Sequence, residues 1–531
     1  MRAWPGADRC VLQGPPGAGK STAGRAAAQH LGWAFVDLDA AVEREAGATV
    51  REVFAREGEG GFRARERRAL GDALKRDRVV IAAGGGALVD DVVRRTALRE
   101  ATVVTLRAPR DVLAQRLAAD DARPLLGEAG ALERLLAARA SSYAECHATV
   151  DAAGHPDAVA AAVVAAVHAP RAVVVPLGER TYPVLFAPFE AAMARLGTAP
   201  SVLVTDTNVA RCWAASALAA FGGAPEAVVL RAGEGSKTLR SVARVWNSAG
   251  RAGADRGTIV ASLGGGVVSD VAGFAAATWL RGVRHAVLPT SLLAMADAAV
   301  GGKTAVDLAR GKNLVGAVHQ PSVVCVHVPV LRTLPTRHRR AGLAEVAKIA
   351  AALDAGLFAW LEAHARALAA WAGGRDLDEA TLTTMIAGAV AAKADVVARD
   401  ELERGDRALL NFGHTLGHAL EAASGFRALH GDCVAAGMRG ELALGVARGV
   451  TAGELRRRVC ALLDDLGLPH TVRADPEAAR SALRYDKKSR AGAARVVLLT
   501  DLGASALHEV PAPELIDALT AVLEIRDVPI R

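Results

Sequence analysis

Aromatic side chains make up only 4% of the 531 residues, cysteine occurs six times, and histidine only 14 times. Each scarcity excludes something. The cysteines, at 10, 146, 212, 325, 433 and 460, show no Cys-x-x-Cys spacing and no dense framework, so a disulfide-stapled fold is excluded and reduced thiols in a cytoplasmic protein are expected. Long apolar runs are missing as well. The most apolar stretch, Ala158 to Val167, is too short to span a bilayer, and no apolar signal stretch precedes Gly14, so no membrane anchoring is expected. The net charge of +7 would suit nucleic acid, but there is no lysine run, no basic strip interleaved with aromatics and no nucleic-acid motif. Anionic small molecules gathered in basic clefts explain the charge. The low aromatic content beside abundant Ala and Arg is a compositional bias from which no chemistry is read, whereas a hydrophobic content of 51% is ample for packed cores.

The few histidines are concentrated. His414 and His418 stand four apart in Asn411-Phe-Gly-His414-Thr-Leu-Gly-His418, and His430 follows in Leu429-His430-Gly. On a helix the first two share one face, and Glu345 in Ala344-Glu345-Val-Ala-Lys348 adds a carboxylate from elsewhere. Two histidines and a carboxylate would leave a zinc ion an open position for a substrate hydroxyl. The same spacing, taken alone, is also an ordinary helix face of hydrogen-bonded histidines.

At the other end, Arg9-Cys-Val-Leu-Gln13 reads as a strand running into Gly14-Pro-Pro-Gly17-Ala18-Gly19-Lys20-Ser21-Thr22, a complete P-loop. Its glycines turn backbone N–H groups toward phosphate, Lys20 reaches the β/γ-phosphates of ATP, and Ser21 holds Mg²⁺ at a helix N-terminus. Further along come Val36-Asp37-Leu-Asp39 closing a second strand, Gly61-Phe-Arg63 after a helix, Ala83-Gly84-Gly85-Gly86 after a third strand, Asp121-Ala-Arg123-Pro124-Leu125 as a lid-like loop, and Arg139 four residues before Tyr143. This stretch resembles shikimate kinase. The resemblance implies ATP contacts from Gly14, Gly17, Ala18, Gly19, Lys20, Ser21, Thr22 and Arg123, with Asp37 beside Mg²⁺ through water. It further implies that shikimate meets Asp39, Arg63, Arg139 and the turn Gly84, Gly85 and Gly86. Guanidinium forks match a carboxylate bidentately, and Asp39 accepts from ring hydroxyls.

From Val173 onward the order Gly264-Gly-Gly-Val-Val-Ser269-Asp270, Arg281-Gly282, Pro289-Thr-Ser291, Asp297, Gly301-Gly-Lys303-Thr304 and Gly311-Lys312-Asn313 is distinctive. It resembles 3-dehydroquinate synthase, which cyclises 3-deoxy-D-arabino-heptulosonate 7-phosphate with NAD and zinc or cobalt. The resemblance implies that Glu345, His414 and His430 hold the metal. NAD would be bound by Asp206, Asn208, Glu234, Lys237, Gly264, Gly265, Gly266, Asp270, Thr290, Ser291, Lys312 and Thr333. The substrate would be held by Arg281, Asp297, Lys303, Asn313, Lys348, Lys393, Arg407, Asn411, His418 and one of Lys487 and Lys488, with Lys303, Lys348 and His418 in the chemistry and His418 relaying a proton. Ser269 departs from the family's usual glycine. A hydroxymethyl there is expected to crowd the pyrophosphate, so glycine in its place should tighten NAD.

Strand and helix alternate through residues 9–167, which predicts a parallel sheet covered by helices. The expected organisation is α/β throughout the first two parts: residues 1–169 as a P-loop kinase domain, 170–334 as a Rossmann-like NAD-binding part, and 335–531 as a mainly helical metal and substrate part. A break at Ala169-Pro-Arg-Ala172 sets the first boundary near 170. Together the resemblances imply a bifunctional enzyme of aromatic biosynthesis, cytoplasmic, acting on small molecules and homodimeric through its synthase region. Two alternatives stay open at this point: a sugar-phosphate cyclase of another specificity fused to a small-polyol kinase, or a non-catalytic P-loop module attached to one working enzyme.

Overall fold

The computed structural model describes residues 6–118, 130–169, 171–197, 201–221, 225–308, 311–485, 489–490 and 493–525. Arg123, Lys487 and Lys488 lie outside the described residues. The chain divides into two compact units, residues 2–185 and, Met1 aside, residues 186–531.

In the first unit five parallel strands lie in the order Ala34–Asp37, Val79–Ala82, Gly6–Gln13, Ala101–Arg107, Ala148–Asp151. The central strands are apolar on both faces, as a doubly covered parallel sheet requires. Leu12, Val80 and Val104 pack with Ala27, Val159 and Val163 of helices Lys20–Leu31 and Pro156–Val167. Val11, Ile81 and Val103 face the other way, against Leu70, Leu74, Val93 and Ala97. The first strand lies between the third and fourth in chain order, so the connections leave it toward opposite sides and open a crevice at its carboxyl end. That is where the P-loop begins. Residues 172–185 belong to this unit by contact and include an antiparallel pairing of Ala172–Val175 with Tyr182–Phe186.

One element differs from its sequence reading. Gly61 to Arg63, read as following a helix, lie inside the helix Val50–Leu74. The break is earlier, at Gly58, whose φ of +68° is open to glycine, and the Arg65–Glu57 ion pair spans it at 2.9 Å.

The second unit carries parallel strands ordered Val323–Val326, Arg284–Pro289, Ile259–Gly264, Ser201–Asp206, Glu226–Leu230. Ile259–Gly264 feeds helix Gly266–Thr278 across the glycine turn. After Pro335 the described residues form helices Thr336–Leu353, Ala355–Ala372, Glu379–Arg399, His414–Ala423, His430–Ala447, Gly453–Asp465 and Pro476–Tyr485. Thr336–Leu353 is buried from Ala341 to Ala352, which is how Glu345 and Lys348 come to lie inside the protein. Among the described helices Glu379–Arg399 is long and apolar enough to cross a membrane by length and composition, yet 67% of its apolar window is buried inside the structure and it carries the buried Lys393. An antiparallel hairpin, Ala493–Asp501 with Ala504–Pro511, follows, and then helix Ala512–Thr520.

Candidate functional site

The P-loop is tight for a local reason. Gly14 has φ +139°, and a Cβ there would fall on the Leu106 carbonyl oxygen. Lys20 starts the helix Lys20–Leu31, and its Nζ donates to the carbonyls of Gly14 (2.9 Å) and Pro15 (3.0 Å), arching over the loop. Gly17, Ala18 and Gly19 complete the turn, while Ser21 and Thr22 stand exposed in the first helical turn, with open N–H groups that suit phosphate and Mg²⁺. Asp37 does something the sequence did not announce: its Oδ1 caps helix Leu38–Ala46, accepting from Asp39 and Ala40 N–H.

The expected shikimate residues converge on the Gly84–Gly86 turn. A Cβ on Gly84 would lie 2.9 Å from Asp39 Oδ1 and closer still to Glu66 Oε1, while one on Gly86 would strike the Arg63 guanidinium. Arg139 and Tyr143 both donate to the Gly85 carbonyl, at 2.6 and 2.7 Å. Glu66 was missed in the sequence. It is 2% exposed, pairs with Arg63 at 2.6 Å, and keeps Oε1 without a hydrogen bond. Burial pushes its carboxyl above the usual range against the pull of Arg63 and Arg139. Its signal was the three-residue spacing from Arg63, one helical face. Two guanidinium groups beside two carboxylates make a small polar pocket that matches an anion bearing hydroxyls.

In the second unit His414, His418 and His430 present ring nitrogens all within 4.8 Å of one another. Glu345 faces them, with Oε1 3.1 Å from His430 Nε2 and 3.8 Å from His414 Nε2. It is 1% exposed, and neither oxygen has a well-formed hydrogen bond; ion pairs alone hold it, including one to Lys348 at 2.6 Å. A buried carboxylate so placed among three imidazoles fits a divalent cation of the zinc class. The Nδ1 atoms of His414 and His430 engage the Phe412 carbonyl (3.2 Å) and Glu421 (3.1 Å), leaving Nε2 for the shared centre. Burial, with Lys348 nearby, holds His414 well below the usual imidazole range. Burial also opposes charge on His430, but Glu345 and Glu421 carry it up to about 10. His418 is the exposed member.

Beside this cluster Asp297, on a π-helical turn Ala294–Ala298, sits between two lysines. Lys348 reaches it at 2.8 Å, and Lys393 contacts both its carboxylate and, at 2.6 Å, its carbonyl. Although desolvation opposes charge on Asp297, the two lysines hold its carboxyl well below the usual range, and burial brings Lys393 down to about 8. Lys303 pairs with Glu403 at 2.5 Å, and Asn411 Nδ2 donates to the same carboxylate. Arg407, fully buried, donates to the carbonyls of Glu401 and Gly301. The structure therefore gathers Lys303, Lys348, Lys393, Arg407, Asn411 and Asp297 near the histidines. Arg281 is not gathered with them: it is exposed in a left-handed pair with Leu280 and makes no hydrogen bond or ion pair among the described residues. Asn313 also has positive φ, and its N–H donates to Asp307.

The expected NAD residues line the strand ends and the helix start. Gly265 leaves helix Gly266–Thr278 without a side-chain cap, so its first N–H groups are open to pyrophosphate. Lys237 pairs with Asp270, whose carboxyl burial pushes up to about 6 against that lysine. Asp206 caps its own helix through Asn208 and Val209 N–H. Thr290 N–H donates to the Gly264 carbonyl, Ser291 Oγ accepts from Ala294, and Thr333 Oγ1 accepts from Trp213. Lys312 bridges Glu234 (3.3 Å) and Glu421 (2.9 Å). Ser269 is buried within the helix, and its hydroxyl donates back to the Gly266 carbonyl at 3.1 Å. The expected crowding is thus replaced by a bond to the helix's own backbone.

Comparison with known proteins follows the same division. Residues 16–168 match the family model for shikimate kinase, 227–341 that for the N-terminal part of 3-dehydroquinate synthase and 342–489 that for its C-terminal part. The 3-dehydroquinate synthase of Xanthomonas campestris pv. campestris (strain 8004) is 46% identical over 337 residues, 61% of this chain and 88% of that protein. That of Symbiobacterium thermophilum is 44% identical over 331 residues, 60% of this chain and 90% of its own. A solved structure of ValA, a 2-epi-5-epi-valiolone synthase from Streptomyces hygroscopicus subsp. jinggangensis 5008 with NAD+ and Zn2+ bound, is 29% identical. It superposes with a TM-score of 0.59 over 64% of this chain and 96% of that one.

Proposed function

This chain belongs to the 3-dehydroquinate synthase family and carries a shikimate kinase domain ahead of that region, and from this we infer the chemistry of its two sites. It is a bifunctional shikimate-pathway enzyme. The first unit transfers a phosphoryl group from ATP to shikimate, and the second converts 3-deoxy-D-arabino-heptulosonate 7-phosphate to 3-dehydroquinate and phosphate. The identity to 3-dehydroquinate synthases, well above that to the valiolone synthase, argues against the other cyclase specificities.

In the kinase site ATP with Mg²⁺ supplies the phosphoryl group. Lys20 and the loop N–H groups steady the phosphates, Arg63 and Arg139 clamp the shikimate carboxylate, and Asp39 takes the hydroxyl proton. In the synthase site, NAD when bound takes up and returns hydride at an alcohol polarised by a divalent ion, so phosphate leaves and the ring closes without net oxidation. Glu345, His414 and His430 hold the ion. Lys303, Lys348, Lys393, Arg407 and Asn411 orient the anionic ends of the substrate, displacing the carboxylates that now occupy them. His418, exposed beside buried His414 and half-buried His430, moves a proton between substrate and solvent.

The observation that carries this reading is the buried Glu345 carboxylate, held by no hydrogen bond of its own and facing three imidazoles. Assaying the full chain with each substrate in turn, with and without zinc chelation, tests it. Chelation should stop cyclisation and spare the kinase once Mg²⁺ is resupplied; cyclisation by metal-free protein overturns it.

The chain works in the cytoplasm, a placement supported by cysteines that are all free thiols. It forms a homodimer through the synthase unit, supported by the exposed Leu280, Leu308 and Val318, and light scattering of the eluted protein measures that mass.

A further inference from the structure

We propose that Glu421 is a positioning residue that fixes the metal-binding face of His430 and ties it to the dinucleotide site through Lys312. Glu421 lies three residues after His418 and seven after His414, on the same face of helix His414–Ala423. The residue is 8% exposed and its carboxylate serves two partners: Oε2 stands 3.1 Å from His430 Nδ1, and Oε1 2.9 Å from Lys312 Nζ. An ionised carboxylate only accepts, so the imidazole must donate from Nδ1. A neutral imidazole has one N–H. Between Glu421 and Glu345 the ring is held with both protons; a metal ion would replace the one on Nε2, which points at Glu345 and the histidine cluster, while the proton on Nδ1 stays with Glu421. Glu421 therefore selects the ring tautomer and rotation that can ligate, as the Phe412 carbonyl does for His414.

The second arm gives the residue its further consequence. Lys312 also meets Glu234 at 3.3 Å and lies 4.5 Å from the Phe426 ring centre. One carboxylate thus touches a metal ligand with one oxygen and a cofactor-site lysine with the other. Whatever draws Lys312 toward a dinucleotide pulls on the support of His430, and whatever fixes His430 pulls on Lys312. Binding of the two is then coupled, and coupling between binding sites is reciprocal.

This inference rests on the reading that the cluster takes a zinc-class ion and that Lys312 contacts NAD. Its test uses full-length wild type, Glu421→Ala and Glu421→Gln, with circular dichroism to verify folding. Zinc affinity is read by competition with a chromogenic chelator, and NAD affinity by calorimetry on zinc-loaded and zinc-stripped protein. Glu421→Ala is expected to weaken zinc roughly 10- to 100-fold. Glutamine offers one acceptor oxygen instead of two, so it serves His430 or Lys312 but not both, and its zinc affinity should fall between the others. In wild type NAD affinity should differ between loaded and stripped protein, and that difference should vanish in Glu421→Ala. Zinc held equally by all three proteins overturns the role of Glu421 while leaving the metal site standing. A wild type that binds no zinc overturns the site itself and this role with it, and coupling that survives in Glu421→Ala overturns the link through Lys312.

Discussion

Among single residues, the synthase site is a set of charges held in mutual balance, and Lys393 is poised to change state just above neutral pH. Burial brings its ammonium down to about 8, so it is charged below that pH and neutral above it. A neutral lysine no longer attracts an anionic substrate. The expected result is a synthase kcat/KM that falls as pH climbs past about 8, and a Lys393→Met variant that is weaker but lacks this limb, read from a pH series on both proteins. Ser269 makes the opposite point. A cofactor contact was expected because Ser269 stands where the family it resembles usually has glycine, but its hydroxyl is spent on the Gly266 carbonyl. Ser269→Gly should leave NAD affinity within about twofold, since the hydroxyl bonds the helix's own backbone, and should lower the melting temperature slightly because that bond, worth about 1 kcal/mol, is lost and glycine weakens a helix interior. Calorimetric titration and a thermal melt check the two halves. Residue types in motifs were legible at this scale, because lysines, histidines and glycines in fixed order announce chemistry. Their partners were not: Glu66, Glu403 and Glu421 are ordinary acids until folding brings each against its cation, though the three-residue spacings of Glu66 from Arg63 and of Glu421 from His418 were visible.

The elements show why the histidines hold their places. Helix His414–Ala423 begins at Gly413 with no side-chain cap of its own, so its first N–H groups need acceptors from elsewhere. Glu441, fully buried on helix His430–Ala447, supplies them, accepting from Gly413 at 2.6 Å, Thr415 at 3.1 Å and Leu416 at 3.4 Å. The two helices carrying His414 and His430 are thus pinned to each other by a carboxylate at a helix N-terminus, where negative charge is favoured. Removing it strands several buried donors. Glu441→Ala should cost roughly 3 kcal/mol of synthase-unit stability and loosen zinc, while kinase turnover stays unchanged; a thermal melt with metal analysis measures both. The alternation of strand and helix through residues 9–167 was readable from apolar runs and from glycine and proline punctuation, as the strands Val79–Ala82 and Ala101–Arg107 between their helices demonstrate. The helix across Gly61–Arg63 was not, because three glycines among charged residues look like a loop until Arg65 and Glu57 close across the break. The Glu441 cap was equally invisible, since it comes from a helix whose packing no local pattern reveals.

Across the whole molecule the two activities use separate residues in separate compact units, so each should be removable alone. Lys20→Ala should abolish shikimate phosphorylation and leave dehydroquinate formation within a few-fold, while His430→Ala should do the reverse and lose the metal; assaying both reactions on each protein decides. Two active units were legible because each carries a motif set of its own, whereas the place where one ends was harder to read. The proline at 170 suggested a boundary there, yet the first compact unit extends through residue 185. Glu145 is one physical reason. Its Oε2 holds the buried Arg94 guanidinium at 2.5 Å, and its Oε1 accepts from Gly178 N–H at 2.9 Å, beyond the proline. Arg94 in turn donates to the carbonyls of Leu88 and Val89, next to the Gly84–Gly86 turn, and Glu145 follows directly on the helix bearing Arg139 and Tyr143. Residues 171–185 thus contact the kinase residues that precede them. A kinase piece cut after Ala169 loses the Gly178 donor, and a piece cut after Leu185 keeps it. One such bond to a carboxylate is worth about 1.5 to 3 kcal/mol, which in a domain of this size should separate the two melting temperatures by several degrees, the longer piece melting higher. Equal melting temperatures would mean that the segment beyond the proline adds nothing to the kinase and that the boundary lies near residue 170 after all.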